Sequence, residues 1–158
     1  MPQSPVAAWG LKIARAITVA YVSFFRGTPL FVQILLVHFA LMPALIHPDH
    51  GLLLAGDAAR SFRQDHGAFF SGCLALSLNA GAYISEIFRG GIVSIDAGQM
   101  EAARALGMDY WQAMRRIILP QTFRRVVPPL TNEGIALLKD SSLVSVIGLT
   151  ELARTGQE

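Results

Sequence analysis

The chain has few charged residues and almost no cysteine or lysine. Only 15% of its 158 residues are charged, against about 25% in an average soluble domain. The single cysteine, Cys73, excludes an intrachain disulfide framework. Neither lysine, Lys12 or Lys139, lies in a glycine-rich phosphate loop, so we expect no ATP binding through a P-loop. The sequence also lacks a Gly-x-Ser-x-Gly elbow and a His-Glu-x-x-His motif, and we expect that it is not an enzyme.

What the chain has instead is apolar residues, at 53% of the total, and long stretches without charge. Residues 27–48 and 66–85 contain no Asp, Glu, Lys or Arg. Each stretch is about as long as the roughly 20 helical residues that cross a bilayer core. We therefore predict an all-α integral membrane protein with spans over about 27–48 and 66–88. A third span over about 126–150 is interrupted by charged residues, namely Glu133, Lys139 and Asp140.

The charges outside these spans predict an orientation. Residues 1–26 carry only basic charges, and residues 89–125 carry six arginines against three acids, whereas residues 49–65 have an acidic excess. Basic segments stay on the cytoplasmic side of a membrane. We expect residues 1–26 to form a cytoplasmic amphipathic segment and the polar stretch from 47 to 67 to be an external loop. The arginine pairs fit this role better than nucleic-acid binding, because no aromatic residues are interleaved with them.

Residues 101–120 form a polar island in this apolar chain. The alanine-rich start predicts a helix, and Gly107 can supply the left-handed turn that ends it. Asp109 and Gln112 fit a capping box for a second helix, in which Trp111, Met114 and Ile118 recur at helical spacing. We expect this helix to end at Pro120 and its apolar stripe to lie against a partner.

The island resembles the EAA loop of ATP-binding cassette (ABC) importer permeases. The residues that carry this resemblance are Glu101, Ala102, Ala103, Gly107, Ile117, Leu119 and Pro120. The flanking segments resemble the polar amino acid branch of that family, which includes histidine, glutamine, glutamate, arginine and opine permeases. They are Arg26 to Leu30, Gly81 to Ile92, Asn132-Glu133 and Leu138 to Leu143.

The resemblance implies a bacterial inner-membrane, multi-pass transport subunit. Its implied partners are an ABC ATP-binding subunit, a second permease subunit (identical or different), an extracytoplasmic solute-binding protein, a polar amino acid and the lipid bilayer. ATP and Mg²⁺ are expected on the partner ATPase, with no cofactor in this chain. The seven EAA-type residues are implied to couple this chain to the ATPase, and they lie within a helix-turn-helix coupling loop over about 94–120.

Permeases of this branch have five spanning helices, whereas this sequence predicts three. We expect a truncated chain or fragment with a transmembrane domain over 27–152 and a short tail over 153–158. An alternative hypothesis is therefore a non-transporting membrane interaction protein that still docks an ATPase.

Several polar residues within the predicted spans are candidates for a substrate path. Asn79, Tyr83 and Glu86 are spaced by four and three residues, so they share one face of the second span. On the third span, Asn132 with Lys139 and Glu133 with Asp140 are each two helical turns apart. Acids suit an amino group and Lys139 suits a carboxylate. Ion pairing of Glu86 with Arg89, or of Lys139 with Asp140, is an open alternative.

The histidines offer a competing and weaker hypothesis. His47-Pro48-Asp49-His50 resembles a metal cluster, and would support a membrane-anchored enzyme, but no further cysteine or acid completes a tetrahedral set. We expect a solvated loop there and no metal. His38 is expected to hydrogen bond within a helix interface.

Overall fold

The computed structural model describes residues 5–147, with side chains from residue 9. This part of the chain is helical, with one isolated bridge between Ile46 and Leu54, which confirms the expected all-α class. Residues 1–4 of the predicted N-terminal segment lie outside the described residues. So do the end of the third predicted span after residue 147 and the predicted tail. The chain forms two units, residues 1–82 with 139–158, and residues 83–138.

The first unit begins with two helical runs that meet at a sharp bend. Helix α1 spans Pro5–Gly27, and α2 spans Leu30–Leu36. A π-turn, Val37–Leu41, continues α2 into α3, Met42–Leu45, and the two runs are bent by 112°. The bend follows from the sequence, because the residue before a proline avoids the helical conformation, and Pro29 itself is extended at ψ 136°. The helix is therefore broken at Thr28 and Pro29 within the first predicted span, 27–48, which continues as a helical run from Leu30 to Leu45.

Helix α4, Gly56–Val93, is longer than the second predicted span. It begins at a left-handed glycine, Gly56 at φ 72°, and runs for 38 residues through both units. The prediction that residues 47–67 form an external loop is therefore wrong for residues 56–67. Charged residues there do not interrupt the helix, because alanines and arginines are good helix formers.

The core of the first unit joins α2, α4 and a 3₁₀ segment, Ser141–Ile147. Its buried residues are Ile34, Val37, Ala75, Val144 and Ile147. Gly72 allows the close approach of the 3₁₀ segment, because a Cβ there would lie 2.5 Å from Val144 Cγ1. His38 Nδ1 lies 3.0 Å from Ser71 Oγ, which confirms the expected hydrogen bond in a helix interface.

The second unit contains the end of α4 and a helical hairpin. The hairpin, residues 94–120, contains α5, Ala97–Ala105, and α6, Tyr110–Ala113. A π-turn, Met114–Ile118, joins α6 to α7, which spans Leu119–Asp140. The chain stays helical through Pro120, so the prediction that Pro120 ends the second helix is wrong.

Both π-turns have the same position relative to a proline. Each turn ends two residues before one, Pro43 in the first unit and Pro120 in the second. A proline within an α-helix lacks an N–H and its ring clashes with the carbonyl four residues earlier. A π-turn shifts the hydrogen bonds to residues five apart, as in Leu119 N–H to Met114 O. We infer that the wider turn is how the helix passes these prolines.

Among the described residues, α4 is long and apolar enough to cross a bilayer. The bent pair Trp9–Gly27 and Leu30–Leu45 would add a second crossing if it is counted as one broken span. The third predicted span, 126–150, corresponds to most of α7 and the 3₁₀ segment, and its membrane crossing stays a prediction.

Candidate functional site

The hairpin (residues 94–120) is built from short helices whose ends are closed by side chains and turns. Helix α5 starts at Asp96, whose Oδ1 accepts a hydrogen bond of 2.7 Å from the Gly98 N–H. At the other end, Gly107 adopts φ 85°, as its sequence position predicts. Its N–H bonds to Arg104 O at 3.0 Å, and the Met108 N–H bonds to Ala103 O at 3.1 Å. These two bonds form a Schellman motif, which fixes the direction of the chain after α5.

The next helix starts with the predicted capping box. The Gln112 N–H donates to Asp109 Oδ1 at 2.8 Å, and the Asp109 N–H donates to Gln112 Oε1 at 3.2 Å. The two side chains thus satisfy each other's backbone donors at the helix start. A glycine turn and a capping box in succession leave the hairpin tip little conformational freedom.

The seven EAA-type residues do not all lie on one surface. Glu101, Ala102, Gly107 and Pro120 are exposed, and Ile117 and Leu119 are half-buried. Ala103 is only 1% exposed and lies inside the hairpin. The exposed part of the EAA-type pattern therefore does not include Ala103.

The predicted apolar stripe of the second helix is also divided. Trp111 is 76% exposed, Met114 is half-buried and Ile118 is buried. The π-turn after Ala113 rotates the following residues, so a stripe counted at α-helical spacing does not stay on one face. The large hydrophobic residues that the hairpin exposes are Leu106, at 82%, Trp111, and Tyr110, at 52%.

Within the second unit, α7 packs against the end of α4 and is hydrogen-bonded to it. A Cβ at Gly91 would collide with Val126 Cγ1 and would lie 3.2 Å from Thr122 Cγ2. Arg125 donates to the carbonyl oxygen of Ser94 and, at 3.0 Å, to its Oγ. Because α7 continues directly from the hairpin, these contacts join the hairpin to both of its flanking helices.

Asn79, predicted to line a path, lies in a buried amide network. It is 6% exposed, and its Nδ2 donates to Gln33 Oε1 at 2.9 Å and to Phe25 O at 3.3 Å. Gln33 Nε2 in turn donates to Phe25 O at 2.8 Å and to Thr28 O at 3.0 Å. The pair satisfies carbonyls left without helical partners at the end of α1.

Sequence reasoning missed Gln33. Its signal was present, because Gln33 and His38 are the polar residues in the otherwise apolar run 30–46. A buried amide in such a run needs a hydrogen-bonding partner.

The other predicted path residues have mixed surroundings. Glu86 accepts two hydrogen bonds from Arg89, at 2.8 and 2.7 Å, so the alternative of ion pairing describes this residue. Tyr83 lies one turn earlier on α4 and is 36% exposed. On α7, Asn132 and Lys139 are exposed, whereas Glu133 and Asp140 are half-buried. Asn132 with Lys139, and Glu133 with Asp140, each share a sector of α7. A role of these residues in substrate passage stays a prediction.

The loop between α3 and α4 brings three possible metal ligands together. One ligand atom each from His47, Asp49 and His50 lies within 4.8 Å of the other two. The two imidazole rings stack with centroids 3.8 Å apart. The spacing of these residues in the sequence did not predict this proximity, which depends on the loop's turn.

Comparison with known proteins gives matches along nearly the whole chain. Residues 6–158 match the family model described as binding-protein-dependent transport system inner membrane component. The chain is 39% identical over 150 residues to the glutamine transport system permease protein of Escherichia coli (strain K12), covering 95% of this chain and 61% of that protein. It is 44% identical over 134 residues to the arginine transport system permease protein of Bacillus subtilis (strain 168), covering 85% and 53%.

A third relative is the L-cystine transport system permease protein of Bacillus subtilis (strain 168), at 44% identity over 138 residues, covering 87% of this chain and 51% of that protein. A solved structure, described as the crystal structure of an amino acid ABC transporter with histidines, matches with a TM-score of 0.71 and 39% identity. The match covers 92% of this chain and 60% of that one. The chain thus spans between half and about three fifths of the length of these relatives.

These matches confirm the resemblance drawn from the EAA-type pattern. They also confirm that the chain is a transport-system component and not an enzyme. The chain belongs to the family of binding-protein-dependent transport system inner membrane components.

Proposed function

We propose that this chain is a membrane-spanning permease subunit of an ABC importer for polar amino acids, in a multi-pass arrangement in the bacterial cytoplasmic membrane. The observation that carries the proposal is the hairpin. It exposes Glu101, Ala102 and Gly107 on a tip whose geometry is fixed by the Schellman turn and the capping box. A stiff tip with an exposed small-residue surface suits the docking of a rigid partner.

In this proposal the partner is an ABC ATP-binding subunit, which carries ATP and Mg²⁺. The hairpin transmits its movement to the membrane helices through covalent continuity and packing. Helix α7 continues from α6 without a loop, and the Arg125 to Ser94 hydrogen bonds tie α7 to the end of α4. Displacement of the tip therefore acts on both helices, as coupling through packed rigid elements requires.

The same proposal assigns a second permease subunit and an extracytoplasmic solute-binding protein as further partners. Support comes from the matched relatives, which are named as permease proteins for glutamine, arginine and L-cystine. Their shared chemistry is the zwitterion of an amino acid. We assign Tyr83, Asn132, Glu133, Lys139 and Asp140 to its path, with Glu133 and Asp140 for the amino group and Lys139 for the carboxylate. Glu86 is left out of this path, because Arg89 occupies both of its carboxylate oxygens. The buried contacts of Asn79 favour a role at the bend instead.

The proposal is tested by ATP-dependent uptake of labelled amino acids into vesicles. The vesicles contain this chain with an ATP-binding subunit and a solute-binding protein of the same organism, and the probes are glutamine, arginine, histidine, glutamate and cystine. The test variant is Gly107→Asp. Its matched control is Gly56→Asp, because Gly56 has a similar left-handed φ of 72° but lies outside the hairpin.

We expect wild-type uptake of one or more probes, a loss of at least about tenfold in Gly107→Asp, and a smaller loss in the control. Absent uptake with intact binding of the ATP-binding subunit would contradict a transport role and favour the interaction-protein hypothesis. Equal uptake by the wild type and Gly107→Asp would contradict coupling through the hairpin.

A further inference from the structure

We propose that His47, Asp49 and His50, in the loop between α3 and α4, form a binding site for a divalent transition-metal ion of the Zn²⁺ class. The inference is independent of the hairpin and of amino acid transport. It rests on three donor groups that converge within one short loop, and on a backbone that holds them there.

The donor atoms are close enough to share one ion. One ligand atom from each residue lies within 4.8 Å of the other two. His47 Nδ1 is 3.8 Å from Asp49 Oδ2 and accepts a hydrogen bond of 3.2 Å from the Asp49 N–H, so an ion either replaces this bond or is held by His47 Nε2. Zinc binds imidazole nitrogen and carboxylate oxygen at about 2.0–2.2 Å, so two donors on one tetrahedral ion are about 3.3–3.6 Å apart. The observed 3.8 Å between His47 Nδ1 and Asp49 Oδ2 is slightly above this range, so binding requires the ligand side chains to rotate toward the ion.

The loop backbone is held by hydrogen bonds on both sides of the cluster. The His47 N–H bonds to Leu54 O at 3.2 Å, and the Gly51 N–H bonds to His47 O at 3.1 Å. Beyond them, the Gly56 N–H bonds to Pro48 O at 2.8 Å. Since Pro48 also has a restricted φ, the three ligands start from a fixed turn. Preorganisation of this kind reduces the entropy lost on binding.

The donor set selects the class of ion. Two imidazoles and one carboxylate suit Zn²⁺ and its neighbours, whereas Ca²⁺ and Mg²⁺ prefer sites made of oxygen atoms. Asp49 and His50 are exposed and His47 is half-buried, so an ion can enter from solvent. Three protein ligands leave a fourth position for water or another donor.

Binding would strengthen the connection between α3 and α4. The ligands lie in the first part of the connection, at positions 47–50, and a shared ion cross-links that turn, whose Pro48 carbonyl is bonded to the Gly56 N–H at the start of α4. A metal that binds only the folded loop stabilises it by mass action. In the orientation predicted from the charges, this loop is on the external side of the membrane.

The test is a titration of the purified full chain in detergent with Zn²⁺ by calorimetry, and with Co²⁺ by its visible absorption. His50→Ala and Asp49→Asn remove ligands from exposed positions, so neither disturbs the core. The matched control is His66→Ala, an exposed histidine on α4 outside the cluster. Mg²⁺ is the control ion, and circular dichroism follows the helix content of each variant.

We expect one Zn²⁺ per chain, a loss of affinity of roughly tenfold or more in each ligand variant, and an unchanged affinity in His66→Ala. Tetrahedral Co²⁺ absorption should appear in the wild type and disappear in His50→Ala. The proposal is overturned if the wild type binds no Zn²⁺, if Mg²⁺ binds equally well, or if His50→Ala with wild-type helix content keeps its affinity. Loss of binding in His66→Ala alone would also overturn it, because the ion would then lie elsewhere.

Discussion

At the scale of single residues, the bend between α1 and α2 depends on one buried amide pair. Gln33 is 1% exposed and donates to the carbonyl oxygens of Phe25 and Thr28, while Asn79 bonds to Gln33 and Phe25. A buried carbonyl that loses its donor keeps the cost of its desolvation. These two side chains therefore hold the geometry of a bend that the Gly27-Thr28-Pro29 sequence begins.

The first prediction concerns this pair. Gln33→Leu removes the donors to Phe25 and Thr28, and we expect it to lower the free energy of unfolding by roughly 1–2 kcal/mol. Asn79→Leu should also destabilise the chain. Both variants break the same hydrogen bond between the Asn79 and Gln33 side chains, so the double variant should lose less free energy of unfolding than the sum of the two single losses. Thermal unfolding in detergent measures all three, with Gln64→Ala as an exposed control. Strictly additive losses would contradict a shared network.

The second prediction concerns the turn of the hairpin. Gly107 has φ 85°, and a Cβ there would meet nothing within 4 Å. Gly107→Ala should therefore cost roughly 1–2 kcal/mol through backbone conformation alone. Gly90 offers the matched control, because a Cβ there also meets nothing, yet the residue lies within α4. Gly90→Ala should be neutral or stabilising by roughly 0.5–1 kcal/mol. Equal melting temperatures for the two variants would count against a strained turn.

At the scale of elements, two adjacent glycines near the end of α4 separate packing from backbone effects. Gly91 faces Val126 and Thr122 on α7, whereas Gly90 faces open space. Gly91→Leu should force the two helices of the second unit apart and destabilise by roughly 1–3 kcal/mol. Gly90→Leu should leave stability within about 0.5 kcal/mol of the wild type. Denaturant unfolding of both variants makes the comparison, and an equal response would show that the α4 to α7 contact is unimportant.

Local sequence patterns predicted the elements of the hairpin well. Gly107 and the pair Asp109 and Gln112 act through bonds to their own neighbours, so a short stretch of sequence contains the whole cause. The start of α4 and the passage of the helix through Pro120 were harder to predict. The second depends on a local shift of backbone hydrogen bonds to residues five apart, which the residue types alone do not specify. The buried position of Ala103 depends on how the two hairpin helices pack, and the partner of Asn79 lies 46 residues away in the chain, so neither could be predicted from a local pattern.

At the scale of the whole molecule, the predicted topology places the α3 to α4 loop and the hairpin on opposite sides of the membrane. Leu52 in the loop and Leu106 in the hairpin are matched probes, with exposures of 79% and 82%. The background for both is Cys73→Ala, which removes the single native cysteine. We expect a membrane-impermeant maleimide to label Leu52→Cys in intact cells, and to label Leu106→Cys only after the cells are permeabilised. Labelling of both in intact cells would refute the orientation.

The central claim is that the exposed face of the hairpin docks an ATP-binding subunit. The most direct measurement is the affinity of that subunit for the purified chain, compared between Glu101→Arg and Asp57→Arg. Both acids are exposed, but Asp57 lies in the first turn of α4, outside the hairpin. We predict that Glu101→Arg weakens binding by roughly tenfold or more, because a reversed charge at the contact adds repulsion, and that Asp57→Arg leaves it unchanged. Equal binding by Glu101→Arg and the wild type would contradict docking at the hairpin.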